Sequence, residues 1–432
     1  MNNYFFQPML GFEQLYTNNK TVRFYEKLFS ELDLSSVEEF PRKSDLPTKY
    51  EGRPPVSRHS VFRAFVVMKT QPFGKVSQLI DYLNNNIVIA LLCGFESGQI
   101  PGKDVFYDFL RDTPPSAFDS VMASSTLKML ELDLVDFENI ALDSMPIFAN
   151  TKLNNPKSFA KNRFNKDKPP VADSNCRLGV HTASNDSNNK DYDFFWGYKD
   201  HVLLDTKYGL PIFNLTLAAN THDVKAGETL VKQADSLIKL KGQVRHLIGD
   251  KAYDSNSFYE ATMNTLGAHV IAPLRSNSKA ALFDGSIPLC DAGLLMHKCG
   301  HIYRDSSIRF KFACPFRQSK SKSCPCNHPN FLKDIKNKGC IKYMHIKSAN
   351  LRNAVDRDSP YFKSLYVKRS AIERYNSRFK YLDNERAYVR NLNSVSAIAS
   401  ISHICLQLTA IIAAKDHKYE LLRSLAALKR AS

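Results

Sequence analysis

The chain has 432 residues, with 59 Lys and Arg against 43 Asp and Glu, a formal net charge of +16. Its 43% hydrophobic and 24% charged residues are globular values, which exclude a disordered, collagen-like or coiled-coil chain and leave room for roughly two to four cored units. The positive excess makes a polyanion the first partner to consider, either nucleic acid or an anionic membrane surface.

Residues 1–54 read as a lead-in with a short amphipathic piece, Val22 to Leu32. A helical tract follows from Arg58 to Asp112, broken at Gly94 and at Pro101-Gly102. Val61, Phe65, Val66 and Met68 recur at helical spacing, as do Leu79, Ile80 and Leu83, with Ser77 a candidate N-cap for the second run. A helix from Ser116 to Leu132 completes an all-helical unit over residues 55–133, with DNA binding as its candidate role. From residue 134 the pattern changes. Phe137 to Leu142 predicts a strand ending on Asp143, and the polar stretch from Asn150 to Asp193 reads as a surface loop. Phe194–Leu204 and Leu210–Leu217 predict two strands joined at Lys207-Tyr208-Gly209. A helix over Asp223–Leu240 follows, then a strand over Val244–Ile248 that leads into Gly249-Asp250. Ser255–Leu266 predicts a helix and His269–Pro273 a strand. This interleaving over 134–273 predicts an α/β domain with a mixed sheet.

Residues 274–358 interrupt the rhythm and hold six of the nine cysteines, from Cys290 to Cys340. Residues 359–432 return to helix: Ser359 to Lys380, Ser394 to Lys415, and a last amphipathic piece to Lys429. Ala397 to Ala414 is the nearest candidate for a membrane span, but it carries Ser400, Ser402, His403 and Gln407 and reads as a buried closing helix. Met1 to Phe6 lacks the basic-then-apolar layout of a signal peptide. No membrane association and a reducing cytoplasm are therefore expected, where clustered cysteines more often bind metal than form disulfides.

Asp143 and Asp250 each follow an apolar strand, and ligands of open α/β sheets gather at the carboxyl ends of strands. Taken singly, an Asp after a strand is more commonly a turn or helix cap. A third acidic residue bears on that choice. Tyr366, Arg369, Glu373 and Lys380 fall within a stripe of about 60° on one predicted helix, while Leu365, Ile372, Tyr375 and Phe379 fall opposite. A solvated salt-bridge face is the other reading of such a stripe. Carboxylate oxygens are hard ligands that suit Mg²⁺ or Mn²⁺ rather than zinc. Two such ions about 3.5–4 Å apart activate a nucleophilic oxygen and stabilise the leaving oxygen in phosphoryl displacement. Arg and Lys beside them hold a phosphodiester, and a phenol hydrogen-bonds a phosphate or stacks on a base. The reaction class is metal-dependent cutting or joining of DNA.

Tyr366-Val-Lys-Arg369-Ser-Ala-Ile-Glu373-Arg-Tyr-Asn-Ser-Arg-Phe-Lys380 matches every spacing of the Tyr-x₂-Arg-x₃-Glu-x₆-Lys signature. On this run the chain resembles the DDE transposases of bacterial insertion sequences in the group that carries that signature. Asp143 in Asp-Ser-x-Pro resembles the setting of the first catalytic position, and Gly249-Asp250-Lys-Ala-Tyr-Asp-Ser that of the second. Gly197 to His201 and Ala219 to Asp223 resemble the intervening blocks, and the tract around 58–112 is similar to the N-terminal domain of many of these enzymes. The resemblance covers most of residues 55–415. It implies a ribonuclease-H-like catalytic domain with a metal-binding triad of Asp143, Asp250 and Glu373. It also implies that Tyr366, Arg369 and Lys380 contact element-end DNA. Water then attacks the phosphodiester at each element end, and the freed 3′ hydroxyl attacks target DNA. Two ends must be brought together, so a homodimer or larger assembly acting on DNA in the bacterial cytoplasm, at the nucleoid, is implied. The chain between Asp250 and Glu373 is too long for a bare domain of this kind, so residues 274–358 read as an insertion, with 359–432 completing the catalytic domain.

Within the insertion, Cys299, Cys314, Cys324, Cys326 and Cys340 are candidate ligands of a structural zinc, against the alternative of buried or free thiols. Lys199 and Lys251 are further candidates for phosphate contact; Asp254 competes with Asp250 but reads more simply as a helix N-cap. Trp196, after Phe194-Phe195, reads as core. Two other functions remain open: a ribonuclease-H-like endonuclease or resolvase without strand transfer, and an inactive, zinc-stabilised DNA-binding descendant of a transposase. The charge is uneven. Residues 274–348 hold 14 Lys and Arg against 4 Asp and Glu, and residues 349–432 hold 15 against 7, which leaves the first 273 residues at 30 against 32.

Overall fold

The computed structural model describes residues 19–39, 55–71, 73–96, 99–155, 157, 165, 167–182, 192–274, 287–290, 292–304, 307–317, 341–345 and 351–431. Its first part is helical: α1 (Lys20–Glu31), α2 (Arg58–Thr70), α3 (Val76–Asn85), α4 (Ile87–Cys93), α5 (Lys103–Asp112) and α6 (Pro115–Glu131). The ends follow local chemistry. Asn19 Oδ1 accepts from the backbone N–H of Thr21 and Val22 to cap α1, and Ser57 caps α2 through Ser60 N. Gly94 closes α4 at φ 100°, a left-handed value that a side chain would strain. Ser77 does not cap α3: the helix starts one residue earlier, at Val76, without a side-chain cap.

The sheet is built on β1 (Asn139–Phe148), with β2 (Arg177–Thr182), β3 (Tyr192–Asp205), β4 (Leu210–Ala218), β5 (His246–Ile248) and β6 (His269–Ile271). Its order is β2-β3-β1-β5-β6, with β4 also on β3. The pairs β1–β3, β2–β3 and β3–β4 are antiparallel, whereas β5 lies parallel to β1 and β6 parallel to β5. Helices α7 (Asp223–Ile238) and α8 (Asn256–Leu266) make the parallel crossovers. The result is a mixed α/β fold with a mixed sheet, as expected.

Three expectations change. The strand predicted to end on Asp143 continues to Phe148, because Asp143 still pairs with Val202 and the ladder to β3 runs on to Phe148↔Gly197. The stretch from Asn150 to Asp193 contains β2, whose Gly179 has Phe195 and Ala219 packed so close that a Cβ there would sit 2.6–2.7 Å from them. The predicted helix from Ser359 to Lys380 is two: α10 (Pro360–Tyr366), a 3₁₀ turn over Val367–Arg369, then α11 (Ser370–Tyr381). The helical stripe is therefore not carried by one uniform α-helix, although Leu365, Ile372, Tyr375 and Phe379 are all buried.

Before α10 comes the short α9 (Leu351–Ala354), and after α11 come α12 (Leu392–Lys415) and α13 (Leu425–Ala431). α12 is apolar enough to cross a membrane by composition, yet that window is wholly buried in the protein. It packs on α1, α2, α5 and α6 and on β4, so the helical part and the sheet share one hydrophobic core. Its polar residues bond inside the protein, although Gln407 Oε1 is buried without a hydrogen-bond partner among the described residues. Ser400 donates to Asn214, Gln407 to Thr126 and to the Pro211 carbonyl, and His403 pairs with Asp200. In the Cys-rich segment, β7 (His297–Arg304), β8 (Ser307–Ala313) and β9 (Ile341–His345) form a separate antiparallel sheet. Cys290, Met296, Phe312, Cys314 and Met344 make its small core.

Candidate active site

The last parallel pair between β1 and β5 is Ala141↔Ile248. Asp143, within β1, and Asp250, just past the end of β5, each stand two residues beyond it, so the register carries the two toward each other. Successive side chains of a strand point to opposite faces. Asp143 meets α11, whereas Ser144 faces α7, where its hydroxyl lies 3.4 Å from Asp223 Oδ1.

Asp143 is mostly buried, with 17% of its side chain exposed. Its Oδ1 accepts from Ser144 N at 2.9 Å, and its Oδ2 accepts from the Asn376 side-chain amide at 3.2 Å. The Arg369 guanidinium is 3.7 Å away. Burial pushes the Asp143 carboxyl up to about 6, with the charge of Asp250 adding to the rise, while Arg369, the Ser144 N–H and Asn376 oppose it. Asp250 Oδ1 caps the 3₁₀ turn Lys251–Tyr253 by accepting from Ala252 N at 2.7 Å. Glu373, in the first turn of α11, is 62% exposed and reaches the pair through Arg369, whose Nη1 donates to Glu373 Oε1 at 2.5 Å. Arg369 Nε and Asn376 Oδ1 are buried without a hydrogen-bond partner among the described residues.

The other candidates divide. Tyr366 stacks on Phe362 with centroids 5.8 Å apart. It packs on the cluster of Ile248, Ile271, Phe362 and Leu365, and so beside the strand end that leads to Asp250; burial raises its pKa. Lys380 pairs with Glu385 at 2.7 Å, two turns or about 10 Å along α11 from Glu373. Lys199 is held 2.9 Å from Asp223 on the α7 side of the sheet, and Lys251 is exposed in the turn after Asp250. Asp254 is not an N-cap, since Ser255 occupies that position. Its carboxylate is wholly buried, with bonds of 2.6 and 2.7 Å to Arg352 and 3.2 Å to Arg357, and is committed to those cations. Trp196 is core, at 1% exposure.

The tertiary structure adds Asn376 to the site. Asn376 lies three residues after Glu373, on the same helical face, and that spacing is its one signal in the sequence.

For zinc, Cys299 is exposed and Cys314 buried, while Cys324, Cys326 and Cys340 lie outside the described residues. Among the described residues no three His, Cys, Asp or Glu side chains are gathered as a ready metal cluster. At the Asp143 site a cation of the protein's own, Arg369, occupies the space between carboxylates that would otherwise repel one another.

Residues 171–408, more than half of the chain, match the family model described as Transposase DDE domain; Asp143 lies before the matched region and Asp250 and Glu373 within it. No curated protein matches the chain in sequence. Among solved structures, the cryo-EM structure of the piggyBac transposase synaptic complex with hairpin DNA is similar at a TM-score of 0.39 and 12% identity. That similarity covers 97% of this chain and 83% of that one. The extent of the family match identifies the chain as a member of the DDE transposase family.

Proposed function

We propose that the protein binds the ends of a bacterial insertion sequence, cleaves the DNA there and joins the freed 3′ ends to target DNA. The observation that carries this reading is the register of β1 and β5, which brings Asp143 and Asp250 toward each other beside a guanidinium that also holds Glu373. The sheet, with antiparallel β1–β3, β2–β3 and β3–β4 pairs and with β5 and β6 parallel to β1, supports a ribonuclease-H-like domain interrupted by the Cys-rich segment.

Asp143, Asp250 and Glu373 are the residues that would hold Mg²⁺ or Mn²⁺. The fit is chemical: all three offer hard oxygen donors, and Asp143 is ionised with difficulty because burial removes the water that would solvate its charge. When bound, the ions supply Lewis acidity to the attacking and leaving oxygens. Asp143 gives up its proton above about pH 6. Arg369 is placed to exchange a carboxylate for a phosphate oxygen, keeping its fork of donors satisfied. Tyr366, half-buried and stacked on Phe362, orients the strand beside it, and Lys380, Lys199 and Lys251 contribute more distant positive charge. The protein works as a homodimer that pairs two element ends, in the bacterial cytoplasm. Residues 55–133 serve as an accessory DNA-binding unit, and the insertion carries a structural zinc.

The test is incubation with element-end duplex, Mg²⁺ and a supercoiled plasmid. Cleaved ends together with joined product are expected, and both are lost in Asp143→Ala, Asp250→Ala and Glu373→Ala. Cleavage without joined product would assign an endonuclease or resolvase instead. Element mobility unchanged in all three variants would overturn the catalytic reading and leave a DNA-binding protein. Metal analysis of purified protein tests the zinc, and occupancy below about 0.2 per chain removes it.

A further inference from the structure

Two side chains from the last third of the chain approach Asp143 Oδ2. Arg369 Nη2 stands 3.7 Å away, and the side-chain amide of Asn376 donates to the oxygen at 3.2 Å. The other oxygen, Oδ1, accepts from Ser144 N at 2.9 Å. The two side-chain partners differ in kind. Arg369 is a long cation that also bonds Glu373. Asn376 is short and neutral, and it is carried by α11 between Tyr375 and Phe379, whose burial seats that stretch of helix in the core.

The Oδ1 of Asn376 is buried and has no hydrogen-bond partner among the described residues. The bond to Asp143 is therefore what decides which way the amide faces, since an ionised carboxylate only accepts and the nitrogen has to meet it. Leucine has nearly the same shape and would sit there without a buried, unpaired oxygen. A polar group kept in a costly position by one bond points to the partner in that bond. The neutrality of the amide suits this partner. A cation beside Asp143 offsets the charge that draws a metal ion, whereas an amide fixes the carboxylate's orientation and leaves its charge in place. Arg369 is also the group assigned above to a DNA phosphate, and once it turns there Asn376 is the side chain that still holds Asp143.

We propose that Asn376 is a positioning residue of the metal site, its amide holding Asp143 Oδ2 so that the carboxylate is oriented for a divalent cation before the cation binds. The inference rests on the metal reading above and adds a residue that lies outside the Tyr366-to-Lys380 signature positions. Donors of this kind orient ligating carboxylates, and their loss weakens metal binding by about 10–100-fold.

Mn²⁺ titration calorimetry on the full chain tests it, comparing the unsubstituted protein with Asn376→Leu, Asn376→Ala and Asp143→Ala, with thermal unfolding of each in EDTA. Asn376→Leu and Asn376→Ala are both expected to bind Mn²⁺ about tenfold or more weakly, with little change in unfolding temperature in EDTA. Unchanged affinity in both, while Asp143→Ala abolishes binding, overturns the proposal and leaves the metal site standing. Affinity lost in Asn376→Ala but kept in Asn376→Leu also overturns it, since side-chain volume rather than the donor would then be the requirement. So does a markedly lower unfolding temperature of both variants in EDTA, because the amide would then support the fold rather than one carboxylate. If the unsubstituted protein shows no Mn²⁺ binding that Asp143→Ala abolishes, the metal reading itself fails and the role of Asn376 falls with it.

Discussion

The guanidinium of Arg369 lies 3.7 Å from the carboxylate of Asp143 and supplies it with a counter-charge. The same group holds Glu373 at 2.5 Å across one turn of helix. Arg369 thus makes one electrostatic unit of a buried strand residue and an exposed helix residue. Its removal leaves Asp143 facing Asp250 with less compensation. Arg369→Ala is expected to move the acid limb of the DNA-cleavage profile to higher pH and to lower the rate at pH 7 by about 100-fold. Arg369→Lys keeps the charge but loses the two-pronged geometry, and recovers only part of the rate. A cleavage pH profile of the two variants checks this; an unmoved acid limb in Arg369→Ala would contradict it.

Asp143 also sets a stability dependence on pH. Burial, partly offset by Arg369, raises its carboxyl from 3.8 to about 6. A carboxyl harder to ionise in the folded than in the unfolded chain lowers stability as the pH rises between those values, and the loss is complete above the folded value. Asp143→Asn is therefore expected to stabilise the metal-free protein by about 1–3 kcal/mol at pH 7–8, with the gain vanishing as the pH falls from about 6 toward 4. Urea unfolding in EDTA across that range measures it. A gain independent of pH would point to a cause other than the carboxyl's charge.

Asp200, His403 and Tyr375 form a buried chain that joins the sheet to α11 and α12. Asp200 Oδ1 accepts from Asn214 and Thr216 at 2.8 Å each, and its Oδ2 is 2.7 Å from His403 Nε2. His403 Nδ1 bonds the Tyr375 hydroxyl on α11. Removing one partner of a buried pair strands the other, so Asp200→Ala is expected to destabilise the fold by about 3–5 kcal/mol. Asp200→Asn, which still offers an acceptor, loses less. Denaturant midpoints of the two variants distinguish this chain from a solvent-relaxed arrangement, for which both would fall near zero.

Asp254 anchors the return of the chain from the insertion. With Asp254→Ala, Arg352 and Arg357 lose their shared carboxylate, although Arg357 keeps bonds to the Ala272 carbonyl and the Tyr259 hydroxyl. The expected result is a loss of about 3–5 kcal/mol, with faster amide exchange concentrated in residues 351–366. Uniform exchange across the sheet would argue against an anchoring role.

In the insertion sheet, Lys298 lies over the Phe310 ring at 3.6 Å and Arg309 over Tyr343 at 5.4 Å. Replacing Lys298, Arg309 and Lys311 by Gln is expected to weaken DNA binding and flatten its salt dependence, by about 0.9 in log–log slope for each phosphate left without its counter-charge. Equal weakening from the same change at Lys20, Lys75 and Lys103 in the helical part would contradict a DNA surface concentrated in the basic C-terminal half.

Local features of this chain were legible without a fold. The alternation of strand and helix from 137 to 273, the glycine stop at Gly94 and the burial of the Ala397–Ala414 helix depend on residues close together in sequence, as does the charge bias toward the C-terminal half. The spacing from Tyr366 to Lys380 was also readable, but the 3₁₀ turn over Val367–Arg369 was not, because it depends on how two helices seat against β1 and β6. Which carboxylates meet was decided only by tertiary structure. Asp250 and Asp254 stand four residues apart in one acidic block, yet one faces Asp143 and the other is sealed by two arginines nearly a hundred residues away. Strand register and long-range ion pairing select between them, and neither is encoded in the few residues around each aspartate.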